Sequence, residues 1–183
     1  MKKRRPPSEL EGCVLGVIGL EEPVSAYAIG AVFINSPNPQ WSGSAGAIYP
    51  LVGRLHRSGL VRSTKHSVGR RRSKMFSLTR AGRKVFEAWL APPVIDPVGG
   101  VPPDPLRTRV RFLELLSPGR RVAFLRSARA SVNYQMQVVQ ADCKRWKSER
   151  GFRYMMSRGA LASMEARHRW LREVEIELSR KMK

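Results

Sequence analysis

Between Glu22 and Glu87 the chain has no carboxylate: 64 consecutive positions hold neither Asp nor Glu. A paired-carboxylate acid–base site has no place in that stretch. Cysteine is nearly absent too, and Cys13 and Cys143 stand far apart with no Cys-x-x-Cys spacing. Neither a zinc knuckle nor a disulfide framework is implied, and a reducing cytoplasm is the simplest setting. His56, His66 and His168 are not spaced as metal ligands, and no Gly-rich phosphate loop follows a strand. The sequence therefore predicts no enzyme, no cofactor and no metal. Long apolar runs are missing as well. Met1-Lys2-Lys3-Arg4-Arg5 resembles the charged region of a signal peptide, but the apolar run from Cys13 to Leu20 is short and follows Glu9 and Glu11. It reads as a buried helix. Nothing approaches the roughly 20 apolar residues needed to span a bilayer, so no membrane partner is expected.

What the chain does have is positive charge. It carries 34 Lys and Arg against 14 Asp and Glu, a formal net charge of +20. An arginine-rich composition would account for much of this, but not for an acid-free block. That block holds eleven basic residues, including the run Gly69-Arg70-Arg71-Arg72-Ser73-Lys74. A one-signed surface suits a polyanion, because each Lys or Arg placed at a phosphate releases condensed counterions. Nucleic acid is the leading partner on this ground. At 183 residues and 42% hydrophobic content, the chain is long enough for a small domain with a helical extension.

The spacing predicts helix, helix, hairpin, helix over the first half. Ser8-Glu9-Leu10-Glu11 fits a capping box opening a helix from Glu9 to Leu20, which Pro23 stops. Ser25 caps a short helix, Ala26 to about Phe33, and Asn35-Ser36-Pro37-Asn38-Pro39 is a loop. A third helix is expected from Ser44 to Ser58, with Ala45, Ile48, Val52 and Leu55 on one face and Gly46, Pro50, Gly53, Arg54 and Arg57 on the other. Pro50 implies a kink or a late start. Val61 to Val68 and Ser73 to Thr79 read as two strands around a basic tip, Gly69-Arg70-Arg71-Arg72. Thr79 then caps a helix from Arg80 to Leu90.

Pro92 to Pro105 is rich in proline, glycine and valine and reads as a linker. The division expected is therefore 1–91, a linker 92–105, and a helical region 106–183. Within the last, Leu106 to Leu116 forms one helix and Ser117-Pro118 opens a long one. Val122, Leu125, Arg129, Val132, Met136, Val139, Cys143 and Trp146 recur at spacings of three and four, a heptad seam broken only by Arg129. Arg129 would need an acid from another helix. A final helix is expected after Gly151 and Gly159, with Met164, Leu171, Val174 and Leu178 on one face. The seam suits either an intramolecular bundle or a dimer.

Helix two, a turn, helix three and a basic hairpin give two elements able to reach adjacent grooves of one duplex. In that arrangement Ser42, Ser44, Tyr49, Arg54 and Arg57 would meet phosphates or base edges, with Arg70, Arg71, Arg72 and Lys74 at the minor groove or backbone. The stretches Trp41-Ser42-Gly43-Ser44-Ala45-Gly46-Ala47-Ile48-Tyr49-Pro50-Leu51-Val52-Gly53-Arg54-Leu55, Ser58-Gly59-Leu60-Val61 and Phe76-Ser77-Leu78-Thr79-Arg80-Ala81-Gly82-Arg83 resemble the winged-helix domain of PadR-family transcriptional regulators. The resemblance covers about residues 8 to 91. Asp104-Pro105-Leu106-Arg107 and Arg169-Trp170-Leu171 resemble the family's helical C-terminal region more loosely. His56-Arg57 stands where the family usually has an acidic pair, and Ala26-Tyr27 replaces the usual Gly-Tyr.

The resemblance implies a mostly α fold with a small β-hairpin wing: an N-terminal winged helix-turn-helix domain plus a C-terminal helical dimerisation region. It implies a cytoplasmic, nucleoid-associated bacterial regulator, a repressor binding a pseudo-palindromic operator on double-stranded DNA as a homodimer. Val122, Leu125, Val132, Met136, Val139, Trp146, Leu171, Val174 and Leu178 are the expected dimerisation residues. Some family members bind flat aromatic compounds, which makes Trp146 and Trp170 candidates for a small aromatic effector. Two other classes share the same charge: an architectural DNA-binding protein without sequence choice, and a protein-interaction adaptor on the same fold.

Overall fold

The computed structural model describes residues 5–38, 41, 45–68, 71–94 and 96–181, with the backbone alone for 45, 68, 71, 72, 96, 97 and 181. The chain divides into two compact units, Met1–Gly100 and Val101–Lys183. In the first, helices α1 (Glu9–Glu21), α2 (Ala26–Ile34), α3 (Ala45–Arg57) and α4 (Arg80–Leu90) accompany strands β1 (Val24–Ser25), β2 (Val61–Val68) and β3 (Arg71–Leu78). The strands form one antiparallel sheet in the order β1-β3-β2. Winged helix-turn-helix describes this arrangement. Val14, Leu15 and Ile18 of α1, Ile29 and Phe33 of α2, Ile48, Leu51 and Val52 of α3 and Val61 of β2 make its dry centre.

The capping chemistry follows the sequence. Ser8 Oγ accepts from the Glu11 amide at 3.3 Å while Glu11 Oε2 accepts from the Ser8 amide at 2.9 Å, so two of the four orphan donors at the start of α1 are satisfied. Ser25 caps α2 through the Ala28 amide at 3.1 Å. At α4, Thr79 Oγ1 accepts from the Gly82 amide at 3.0 Å and donates back to the Gly59 carbonyl at 2.8 Å. One hydroxyl thus joins the α3–β2 turn to the start of α4. Gly59 turns the chain at φ 73°, a conformation favouring glycine. Gly82 is needed for a different reason: a Cβ there would lie 2.0 Å from the Leu60 carbonyl oxygen. Trp89 of α4 lies across Gly12 of α1 in the same fashion, 2.4 Å from where a Cβ would stand.

Several expectations need correcting. The helix α3 begins at Ala45 and carries Pro50 inside it, so it does not start late. Proline within the early turns costs one amide bond, which the buried Ile48, Leu51, Val52 and Leu55 face outweighs. The second wing strand begins at Arg71, and Arg71 and Arg72 pair with Val68 and Ser67 on β2. Only two residues therefore connect the strands, the shortest common hairpin connection. Arg71 and Arg72 belong to the strand rather than to the tip. The two-residue strand β1 has too short a pattern to be read in advance. Inside the expected linker, Asp96–Gly99 forms a single turn of helix, α5.

In the second unit, α6 spans Pro105–Val110, capped by Asp104, whose Oδ1 accepts from the Leu106 and Arg107 amides at 2.9 and 3.2 Å. The expected helix to Leu116 breaks after Val110 and resumes as a 3-10 turn at Leu113–Leu115. Helices α7 (Pro118–Trp146) and α8 (Phe152–Lys181) then pack along each other. Ser117 stands at the start of α7 but makes no side-chain capping bond. Gly159 does not start the last helix, which runs through it from Phe152. The Arg129 guanidinium meets the Glu175 carboxylate of α8 at 3.3 Å, the acid from another helix that its place in the seam calls for.

Candidate nucleic-acid interface

The α2–α3 pair sets the interface. Burial of Ile48, Leu51, Val52 and Leu55 fixes the rotation of α3, and the helical period then turns Gly46, Tyr49, Pro50, Arg54 and Arg57 outward. Tyr49 is 53% exposed. One edge of its ring lies above Gly30 of α2, 3.8 Å from where a Cβ would stand. A flat outer face with two arginines can approach a polyanion closely. Ser42, Ser44 and Arg70, expected at the same surface, lie outside the described residues. For Arg71 and Arg72 the backbone alone is described, on β3.

On the wing, β2 and β3 run as a two-stranded ribbon beyond the short β1. Lys65 and Lys74 stand directly opposite each other, both exposed. Like charges at opposed positions destabilise a ribbon, and an anion alongside relieves the repulsion. Arg62 adds a further exposed cation on β2. Sequence reading singled out Lys74 but missed Lys65 and Arg62, because their place depends on the register, which only the paired strands reveal. It also missed His56, whose Nε2 lies 3.1 Å from Ser63 Oγ and whose ring meets Phe76 edge-on at 6.4 Å. These contacts couple the end of α3 to the wing base.

The remaining predicted residues lie in the second unit. Leu125, Val132 and Leu171 are buried in the core between α7 and α8, with Val174 and Leu178 packed against it. Val139 is buried, Met136 half-buried, and Val122 39% exposed. Trp146 donates its indole N–H to Asp142 at 3.1 Å, and the Arg145 and Arg153 guanidiniums lie 5.3 and 5.0 Å from its ring centre. These are cation–π distances. Asp142 also accepts from the buried Ser157 hydroxyl. Trp170 packs half-buried against the α7–α8 core. Among the described residues, no group of His, Cys, Asp or Glu could hold a metal ion, and no helix is long and apolar enough to cross a membrane.

No curated protein matches the chain by sequence. Among solved structures, Bacillus subtilis PadR in complex with operator DNA is similar at a TM-score of 0.79 and 19% identity, over 95% of this chain and 99% of that one. The same Bacillus subtilis protein in complex with p-coumaric acid gives 0.73 at 19% identity, over 97% and 99%. The Vibrio cholerae virulence activator AphA gives 0.71 at 17% identity, over 94% and 99%. At such identities the likeness is one of fold. The winged helix itself matches a family model, described as the transcriptional regulator PadR-like family, over residues 14–88. The segment that matches the PadR-like family of transcriptional regulators is thus the winged helix, less than half of the chain.

Proposed function

We propose that the protein is a cytoplasmic, nucleoid-associated repressor that binds a pseudo-palindromic operator as a homodimer. The observation that carries this reading is the cationic surface of α3 and the wing. Arg54 and Arg57 of α3 and Lys65 and Lys74 of the wing are exposed, and the sequence places no carboxylate between Glu22 and Glu87 to neutralise them. Bacillus subtilis PadR, of the same fold, is solved in complex with operator DNA. In this reading Ser42, Ser44, Tyr49, Arg54 and Arg57 meet the major groove, and Arg70, Arg71, Arg72 and Lys74 meet the adjacent backbone. Residues 1–91 bind DNA, 92–105 link, and 106–183 dimerise through α7 and α8. Two-fold symmetry then sets the recognition helices about 34–36 Å apart, one helical turn of DNA.

A small aromatic effector relieves binding in this proposal, with Trp146 and Trp170 as its reporters. Its support is the p-coumaric acid complex of Bacillus subtilis PadR. Quenching of intrinsic fluorescence by phenolic acids tests it, and an unchanged spectrum at millimolar ligand rejects it. For the DNA reading, a labelled duplex from the protein's own upstream region is competed with random duplex. Resistance to a hundredfold random excess supports a specific regulator, whereas equal competition indicates an architectural protein. Derepression of a reporter on loss of the protein supports a repressor. A fall in the reporter indicates activation, the role named for AphA.

A further inference from the structure

Glu22 is the last acid before the acid-free block, and its carboxylate reaches into the wing base. The register of β1 on β3 pairs Val24 with Phe76 and Ser25 with Met75, so two residues further back Glu22 stands opposite Leu78. The Leu78 amide faces this side of the sheet, because on the other side the neighbouring Thr79 amide bonds the Leu60 carbonyl at 3.0 Å. Beyond the two residues of β1, that amide finds a side chain in place of a strand. Glu22 Oε2 accepts from it at 2.6 Å, and Oε1 accepts from Arg83 Nη2 of α4 at 2.6 Å.

We infer that Glu22 is a positioning residue for the wing, clasping β3 and the first turn of α4 to the end of α1. The two bonds are charge-assisted and short, the stronger class of hydrogen bond. They explain Arg83, the second arginine of the Leu78-Thr79-Arg80-Ala81-Gly82-Arg83 stretch, which is turned to a partner inside its own fold and not to a duplex. Strand β3 is the middle strand of the sheet and carries Lys74. Its anchorage at Leu78 sets the direction in which the ribbon projects. The inference rests on the DNA-binding reading for its functional consequence, not for the clasp itself.

Three proteins separate the possibilities: wild type, Glu22→Gln, which keeps a neutral acceptor for the Leu78 amide, and Glu22→Leu, which removes it. Circular dichroism first establishes that each is folded. Hydrogen exchange at Leu78 and titration of a random-sequence duplex against salt are then measured. For Glu22→Leu, Leu78 exchange accelerates at least about tenfold, and the salt slope drops by about two units as wing phosphate contacts are lost. Glu22→Gln, which keeps an acceptor for the Leu78 amide but loses the charge that holds Arg83, falls between wild type and Glu22→Leu on both. Wild-type exchange and slope in Glu22→Leu overturn the inference, as does a lower melting temperature with an unchanged slope. If the wild type itself fails to bind duplex, the DNA-binding reading falls, and Leu78 exchange alone decides the clasp.

Discussion

Single atoms decide much of the first unit. A methyl group on Gly82 has no room beside the Leu60 carbonyl oxygen 2.0 Å away, and backbone cannot rotate aside as a flexible side chain does. Gly82→Ala is expected to cost at least about 1–3 kcal/mol, the range for overpacking, measured by urea unfolding. Cys13 is held as a thiol. Burial, with Glu9 adding to it, pushes its pKa up to about 11 from 9.0. The folded state therefore binds the proton more tightly than the unfolded chain. The corresponding stability is fully present below pH 9.0 and is lost as pH rises towards about 11. Cys13→Ala should flatten that decline, and alkylation of Cys13 at pH 8 should be slow. A pH-independent difference between wild type and Cys13→Ala would contradict this account. In the second unit, burial raises the Asp104 carboxyl, but the Arg107 amide, the Arg167 guanidinium and the Leu106 amide outweigh it and hold the pKa below its ordinary 3.8. Its contribution is present above that value and lost as pH falls through the lowered one. Asp104→Ala should cost about 0.5–2 kcal/mol at neutral pH, as loss of an N-cap does, and the difference should shrink in acid.

At the scale of elements, the proposed binding rests on α3 and the wing. Arg54→Glu on the exposed face of α3 should weaken duplex binding by about tenfold or more and lower the salt slope, since it removes a phosphate contact and adds a repulsive charge. Fluorescence anisotropy checks it, and unchanged binding would favour an adaptor built on this fold. The helices here were largely legible because period and caps coincide: Ser8, Ser25 and Thr79 each sit at the start expected of them. The outward face of α3, with Gly46, Pro50, Arg54 and Arg57, followed from its apolar spacing alone. The wing was legible as a hairpin but not in register. Pairing placed Arg71 and Arg72 on β3 and set Lys65 against Lys74, which no local pattern encodes. Strand β1 was hidden for a related reason: two residues carry no period, and only β3 beside them makes a strand. The Glu22 clasp joins positions 56 and 61 residues apart, beyond the reach of any spacing rule.

For the whole molecule, charge comes first. Each half of the chain carries a formal excess of ten positive charges, so long-range attraction to DNA does not depend on the winged helix alone. In the second unit the heptad seam serves first to join α7 and α8, since Leu125, Val132 and Leu171 share one core. The proposed dimer would then use what that core leaves outside, of which Val122 and Ile176 are exposed examples. If six or more phosphates are contacted, raising salt from 50 to 200 mM should weaken binding by about 10³. A flat response would exclude the electrostatic account. The most direct test of sequence-specific regulation is a nuclease footprint across the protein's own upstream region in the presence of excess random duplex. The account predicts one protected inverted repeat with half-sites about one helical turn apart. Uniform protection along the duplex, or none at any concentration, would contradict it.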